Sequence, residues 1–255
     1  MGINVDMAEV AIFLSILLRL SIIFFMLPVF GAAGVPSNVK VCTVAALSLM
    51  LLPLIRQSVQ PLPLEAMQLT TIVVGEIVFG MVFALSMLFV LAAFEFAGEL
   101  ISFEMGFGFS QVADPQTGAQ FTILSVWAQL LALMVFFALN GHHIVLKLII
   151  ESFKSVPVGS FTLDSALFGK VIMLSGILFV LAIKLAAPVM TVLILAQLGM
   201  GLISKFAPQI NILATSWPLT IGLGILFLGL TVVVWGEMAS KSFAELFHFL
   251  GNLSK

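Results

Sequence analysis

Three carboxylates, Glu95, Glu99 and Glu104, lead into the run Met105-Gly106-Phe107-Gly108-Phe109-Ser110 and then to Asp114-Pro115. Acidic groups so placed could line a wet passage or meet a cation on a partner. Glu95 and Glu99, at i and i+4, share one helical face, and Glu104 lies a little over a turn further on. Their mutual repulsion disfavours a dry, lipid-facing position and points to a channel mouth or a contact between subunits. The segment beyond them turns freely at its glycines, and Asp-Pro ends any helix that runs into it. In a chain this apolar, non-helical backbone survives where it is buried in protein or lines a watery cavity. The stretch reads as part of a pore or gate.

Two more charges, Arg19 and Glu76, each sit in the middle of an apolar run. Ionisable groups in such runs are costly and point first to function. One reading is an ion or proton pathway; the other, which the lack of a second acid nearby favours, is a polar contact between helices or subunits. These groups and the three carboxylates are expected to need partner surfaces. His142-His143 invites a metal, but adjacent helical positions point about 100° apart and no Cys or carboxylate completes the set. Helix-end hydrogen bonding is expected there instead. The single Cys42 excludes an internal disulfide and reads as inert, buried packing. Gly106-Phe-Gly-Phe lacks the third glycine and the preceding strand of a dinucleotide site. No motif argues for an enzyme, and no cofactor or metal is expected.

These residues must be held by very apolar elements. The chain is 62% hydrophobic and 9% charged, with mean hydropathy +1.26, whereas soluble domains run about 45–50% apolar and about 25% charged. Its 255 residues suffice for roughly five to seven helices of about 20 residues each. The net charge of −2, with no basic cluster, excludes nucleic acid as a natural partner. The first apolar run follows Asp6 and Glu9 instead of a basic segment, so no cleavable signal peptide is expected.

Six segments follow from the apolar runs: 8–30, 39–55, 67–105, 121–140, 166–202 and 210–250. Gly, Pro and Asn mark the link 31–38, the Pro61/Pro63 pair stiffens the next, and Asn140-Gly141 is a plausible helix stop. Residues 147–164 read as the most soluble stretch, and Pro188 as a kink. The link 205–211 separates the arms of a terminal helical hairpin. Segments three, five and six are too long for one crossing at 1.5 Å per residue. Lysines and arginines are scattered over the links without the alternation that sets topology. The fold class is therefore all-α, a multi-helix hydrophobic membrane-associated protein. The small-residue pairs Ala93/Ala97 and Gly236/Ser240 permit close helix approach.

An ordered set of short motifs runs nearly the full length: Arg19 through Pro28, Pro36-Ser-Asn-Val-Lys40, Gly75-Glu76 with Gly80, and Ala97-Gly98-Glu99. It continues with Met105-Gly106-Phe107, Asp114-Pro115, Asn140-Gly141-His142, Ser152-Phe153 with Pro157-Val-Gly159, and Pro188 with Pro208-Gln209-Ile-Asn211. In this order they resemble the FliR/SctT family of type III secretion export-gate proteins, and its flagellar branch most.

The resemblance implies a non-enzymatic gate that assembles with FliP, FliQ and FlhB homologues and passes unfolded flagellar proteins. It implies a place in the bacterial inner membrane at the flagellar basal body, with the assembled core on the periplasmic side. Residues 1–160 would be the FliP-like part and 161–255 the FliQ-like helical hairpin. The family's plug maps onto residues 106–120. The alternative is a secondary transporter or ion channel built on Arg19 and Glu76, though no internal repeat supports it. A third reading is a scaffold whose neighbours do the gating.

Overall fold

A computed structural model describes residues 7–27, 36–56, 66–107, 122–159, 165–207, 209 and 212–253. Every element among them is helical: α1 (Met7–Met26), α2 (Ser37–Ile55), α3 (Ala66–Glu104), α4 (Ile123–Ala138), α5 (Gly141–Ser155), α6 (Ser165–Phe206) and α7 (Ile212–Leu253). Five of these, all but α4 and α5, are long and apolar enough to cross a membrane, and α4 with α5 forms a bent pair that passes the same test together. The expected all-α membrane protein is thus observed. α6 runs through Pro188 as one helix.

Packing groups the chain into two compact units, one of Met1–Phe89, Asn140–Ser175 and Ala244–Lys255, the other of Val90–Leu139 and Gly176–Phe243. In the first unit α1 lies against α2, which also meets α5. α1 buries Ile12, Ile16, Leu20 and Ile23, a stripe at steps of three and four that keeps one face inward. The stretch from residue 147 read as most soluble begins inside α5, a helix that the six apolar segments did not include. α5 is an amphipathic helix that buries Val145, Ile149, Ser152 and Phe153, while Lys147 and Glu151 face out and approach to 3.9 Å. Asn140 does interrupt the helix before it, as expected, by adopting a left-handed conformation with φ 55° and ψ 32°. Asparagine tolerates that region better than most residues, and its carbonyl then accepts from His143 N at 3.0 Å to start α5.

Cys42 is exposed, contrary to the buried role expected. α2 turns Val44, Ser48 and Ile55 inward, and Cys42 lies two residues from Val44, about 200° around the helix.

The second unit gathers the later part of α3 with α4, α6 and α7 around Trp235. That ring is 1% exposed, meets Phe94 edge-on at 6.1 Å and lies 6.4 Å from Trp127. Its indole N–H donates to Leu185 O at 3.1 Å, so the polar edge of a buried indole is satisfied. Leu185 and Trp235 stand at similar chain distances from the link at 207–211, which sets α6 and α7 side by side and antiparallel there. Ala93 and Ala97 are fully buried. A Cβ on Gly98 would come within 2.7 Å of Leu124 O and Ser125 Cα, so α3 and α4 cross at backbone contact.

Candidate functional site

In the first unit Arg19 and Glu76 find each other. Arg19 Nε lies 2.5 Å from Glu76 Oε2 and Nη2 lies 3.0 Å from Oε1, the bidentate geometry that suits a planar guanidinium. Both side chains are fully buried. Nη1 donates to Ser152 Oγ at 3.2 Å, and Nη1 and Nη2 reach Val156 O at 3.4 and 3.3 Å. The rings of Phe79 and Phe153 flank the guanidinium at 4.4 and 4.1 Å. α1, α3 and α5 are thereby joined at one point, and the C-terminal exit of α5 is fastened to it. Each charge finds its partner inside the chain, so neither calls for a surface of another subunit. The arrangement favours helix contact over an ion pathway, because a passing ion would have to break a charge pair that excludes water.

In the second unit the acidic ladder of α3 meets neutral donors. Glu95 accepts from Gln129 Nε2 at 3.0 Å, and Glu99 Oε2 accepts from Thr122 Oγ1 at 3.0 Å and more weakly from Thr122 N at 3.4 Å. Glu104 Oε2 and its backbone oxygen each accept from Gln197 Nε2 at 3.1 Å. The i, i+4 pair thus faces α4, and Glu104 faces α6. Thr122 is also the N-cap of α4, accepting from Ser125 N at 3.3 Å. A carboxylate beside that helix start is favoured by the macrodipole as well as by the hydrogen bond.

The residues that follow Glu104 are held in place. Gly106 N donates to Phe103 O and Phe107 N to Ser102 O, both at 3.0 Å, with Gly106 at φ +93°. This pair of bonds is a Schellman motif, which needs a left-handed residue after the helix end. Gly106 accordingly serves as a fixed helix stop, and the freely turning backbone expected of it is corrected. Met105 is fully buried, and its backbone oxygen accepts from Thr220 Oγ1 at 3.3 Å. Its side chain fills the space that a Cβ on Gly224 would take, and Trp217 lies 3.3 Å from the Cβ position of Gly106. Gly108, Phe109, Ser110, Asp114 and Pro115 lie outside the described residues.

The chain that begins at Phe107 and ends at Thr122 is therefore fastened at both feet within one unit, by the helix stop at Gly106 and by Glu99 on Thr122. His142 and His143 meet as tilted rings with centroids 4.1 Å apart; among the described residues no group of three or more metal-ligating side chains forms.

A family model described as bacterial export proteins, family 1, matches residues 10–246. The chain belongs to that family. The match spans both fastened feet and the Arg19 cluster. Among relatives of this bacterial export protein, the flagellar biosynthetic protein FliR of Bacillus subtilis is 29% identical over 94% of this chain and 93% of its own length. FliR of Escherichia coli K12 is 27% identical over 93% and 90%, and that of Pectobacterium carotovorum 27% over 89% and 86%. The resemblance drawn from ordered motifs is confirmed at the level of the family.

The carboxylates of this export protein are conspicuous in the sequence, but their partners Gln129, Thr122 and Gln197 carry no charge to draw notice. A capping signal, Thr122 just ahead of the apolar run of α4, was available for one of them. We expect Glu99→Ala to accelerate amide exchange in the first turn of α4 and to destabilise it by about 1.5–3 kcal/mol, the usual worth of a hydrogen bond to a charged group. Cys42→Ala, on an exposed face, should leave exchange and export unchanged. Equal protection of residues 123–126 in both variants would remove the anchoring role of Glu99.

Proposed function

We propose that this chain is a subunit of the flagellar type III protein export gate, working with FliP, FliQ and FlhB homologues to pass unfolded flagellar proteins. The observation that carries the reading is the family match over residues 10–246, together with FliR-named relatives that cover about nine-tenths of both chains. On this reading the chain is non-enzymatic and sits in the bacterial inner membrane at the flagellar basal body, its assembled core toward the periplasm. Residues 1–160 are kin to FliP and 161–255 to FliQ, a kinship of sequence that need not coincide with the compact packing units.

The gating element is the stretch Met105, Gly106, Phe107, Gly108, Phe109, Ser110, Asp114 and Pro115, with Met105 and Gly106 as its fixed foot and the obstruction beyond them. The spacing of the described residues at its two ends supports this role. The contacts at Glu99 and at Gly106 are seven residues apart on α3, or about 10 Å along a helix. Fourteen residues, 108–121, join them, with a contour of up to roughly 50 Å. Such slack between two fixed feet allows a projecting obstruction without loosening the helices behind it. The alternative of a transporter or channel using Arg19 and Glu76 gains nothing from their dry, mutually satisfied pairing.

Exposed apolar surface fits an assembled state: only 17% of Ser37–Ile55 and 17% of Thr215–Gly251 is buried within the chain. Co-expression with the FliP- and FliQ-type neighbours should therefore yield a mixed complex that survives size-exclusion chromatography in detergent. The chain expressed alone should aggregate. A monodisperse, thermally stable solitary product that ignores its neighbours would overturn the gate assignment.

A further inference from the structure

Lys184 is a lone cation within a long apolar run. It belongs to the stretch Val171–Phe206 of α6, and its side chain is exposed. The ion pairs formed among the described residues leave it without a carboxylate. α6 contains Lys170, Lys184 and Lys205 and no acid at all. Around Lys184 one face of the helix continues with Ile177, Val180, Leu195, Leu198 and Leu202, each exposed, at steps of three and four through Ala187 and Thr191. Thr191 adds no free polarity to that face, since its hydroxyl donates to Ala187 O at 2.7 Å. The result is an uncovered apolar stripe with one unneutralised charge. Lipid would cover the leucines but would leave the ammonium dearly placed. A helix with a carboxylate opposite Lys184 satisfies both.

A second copy of this chain fits poorly. Among the described residues, Glu9 pairs with Arg56 at 2.6 Å and Glu151 with Lys147 at 3.9 Å, while the exposed Glu237 and Glu245 each have Lys241 one turn away along α7. Each would bring a positive charge toward an already cationic face. We propose that the α6 face centred on Lys184 docks an apolar helix of a different subunit, one that presents an unaccompanied Asp or Glu at the level of Lys184. The lysine then sets register along an otherwise featureless contact, as a single polar position does between paired helices.

This proposal rests on the chain being part of a hetero-oligomeric gate, and the test separates the two. The unmodified chain is first purified with its co-expressed neighbours; failure to form any mixed complex sinks the gate reading itself. Given that complex, Lys184→Glu should lower its recovery about tenfold or more, the scale of opposing like charges in a desolvated contact. Lys184→Arg should assemble near the unmodified level. A photo-reactive residue at position 198, with Lys184 intact, should cross-link to a subunit of the same complex. Reversing an acid on that cross-linked helix to Lys should restore Lys184→Glu. Wild-type recovery of Lys184→Glu, cross-links joining two copies of this chain, or cross-links to lipid alone would each overturn the docking proposal. The cross-linking arm stays decisive even where Lys184→Glu fails to fold.

Discussion

Arg19→Ala is expected to cost about 3–5 kcal/mol, the loss that follows when one partner of a buried ion pair is removed and the other is left uncompensated. The magnitude follows from the surroundings of Glu76. Its carboxylate is fully buried, and Arg19 is its one ion-pair partner among the described residues. The same substitution frees Ser152 Oγ and Val156 O and leaves a cavity between Phe79 and Phe153, which faced the guanidinium at 4.4 and 4.1 Å. Glu76→Ala should cost a similar amount by stranding a cation. The double change Arg19→Met with Glu76→Leu removes both charges at similar volume, and buried pairs so replaced are often neutral or more stable. Thermal unfolding of the purified complex in detergent measures all three. The pair has no structural weight if either single variant unfolds at the unmodified temperature, or if the double variant falls as far as the singles.

The pair also shows what the sequence could and could not convey. Each member was conspicuous by itself, because a charge in an apolar run stands out wherever it occurs. Their meeting was not legible, since 57 residues separate them and spacing in sequence carries no distance across a bundle. The helices α1, α3, α6 and α7 were readable to within a few residues because hydropathy alone marks them. α5 was lost for the opposite reason: Lys147, Glu151 and Lys154 made the stretch look soluble. Yet Val145, Ile149 and Phe153 repeat every four residues on its other face, and attention to that period would have recovered the helix. Cys42 was misjudged on residue type, as free cysteine is usually buried. The arrangement of α2, with Val44 and Ser48 turned inward, decided otherwise.

The carboxylate ladder, expected at a wet channel mouth or a subunit contact, also has partners inside the chain that its sequence did not announce. Electrostatic reasoning looks for cations, and α4 and α6 supply a hydroxyl and two amides instead. The glycines after Glu104 divide in the same way. Gly106 marks the end of α3, as any glycine behind a long apolar helix suggests. Its fixed conformation follows from Trp217 and from the bonds to Phe103 and Ser102, the first of them over a hundred residues away in the chain.

That distinction shapes the second prediction. A pore that passes an extended polypeptide must still resist leak when idle, and apolar constrictions close pores by excluding water. On the proposed reading Phe109 is the apolar obstruction, whereas Met105 and Gly106 are held by the helices through Thr220 and the bonds to Phe103 and Ser102. Replacing residues 109–119 by a short Gly-Ser bridge should therefore leave both feet and the mixed complex intact while raising the closed-state conductance of the reconstituted complex. By contrast, Gly106→Ala puts a side chain at φ +93° and against Trp217 at 3.3 Å, a strain of order 1–3 kcal/mol. It should lower assembly and produce no leak in the complex that does form. Conductance recordings on the two variants separate obstruction from support. An unchanged closed-state leak after the loop replacement would show that the seal lies elsewhere in the assembly, and a leak from Gly106→Ala equal to it would merge the two roles proposed for the loop and its foot.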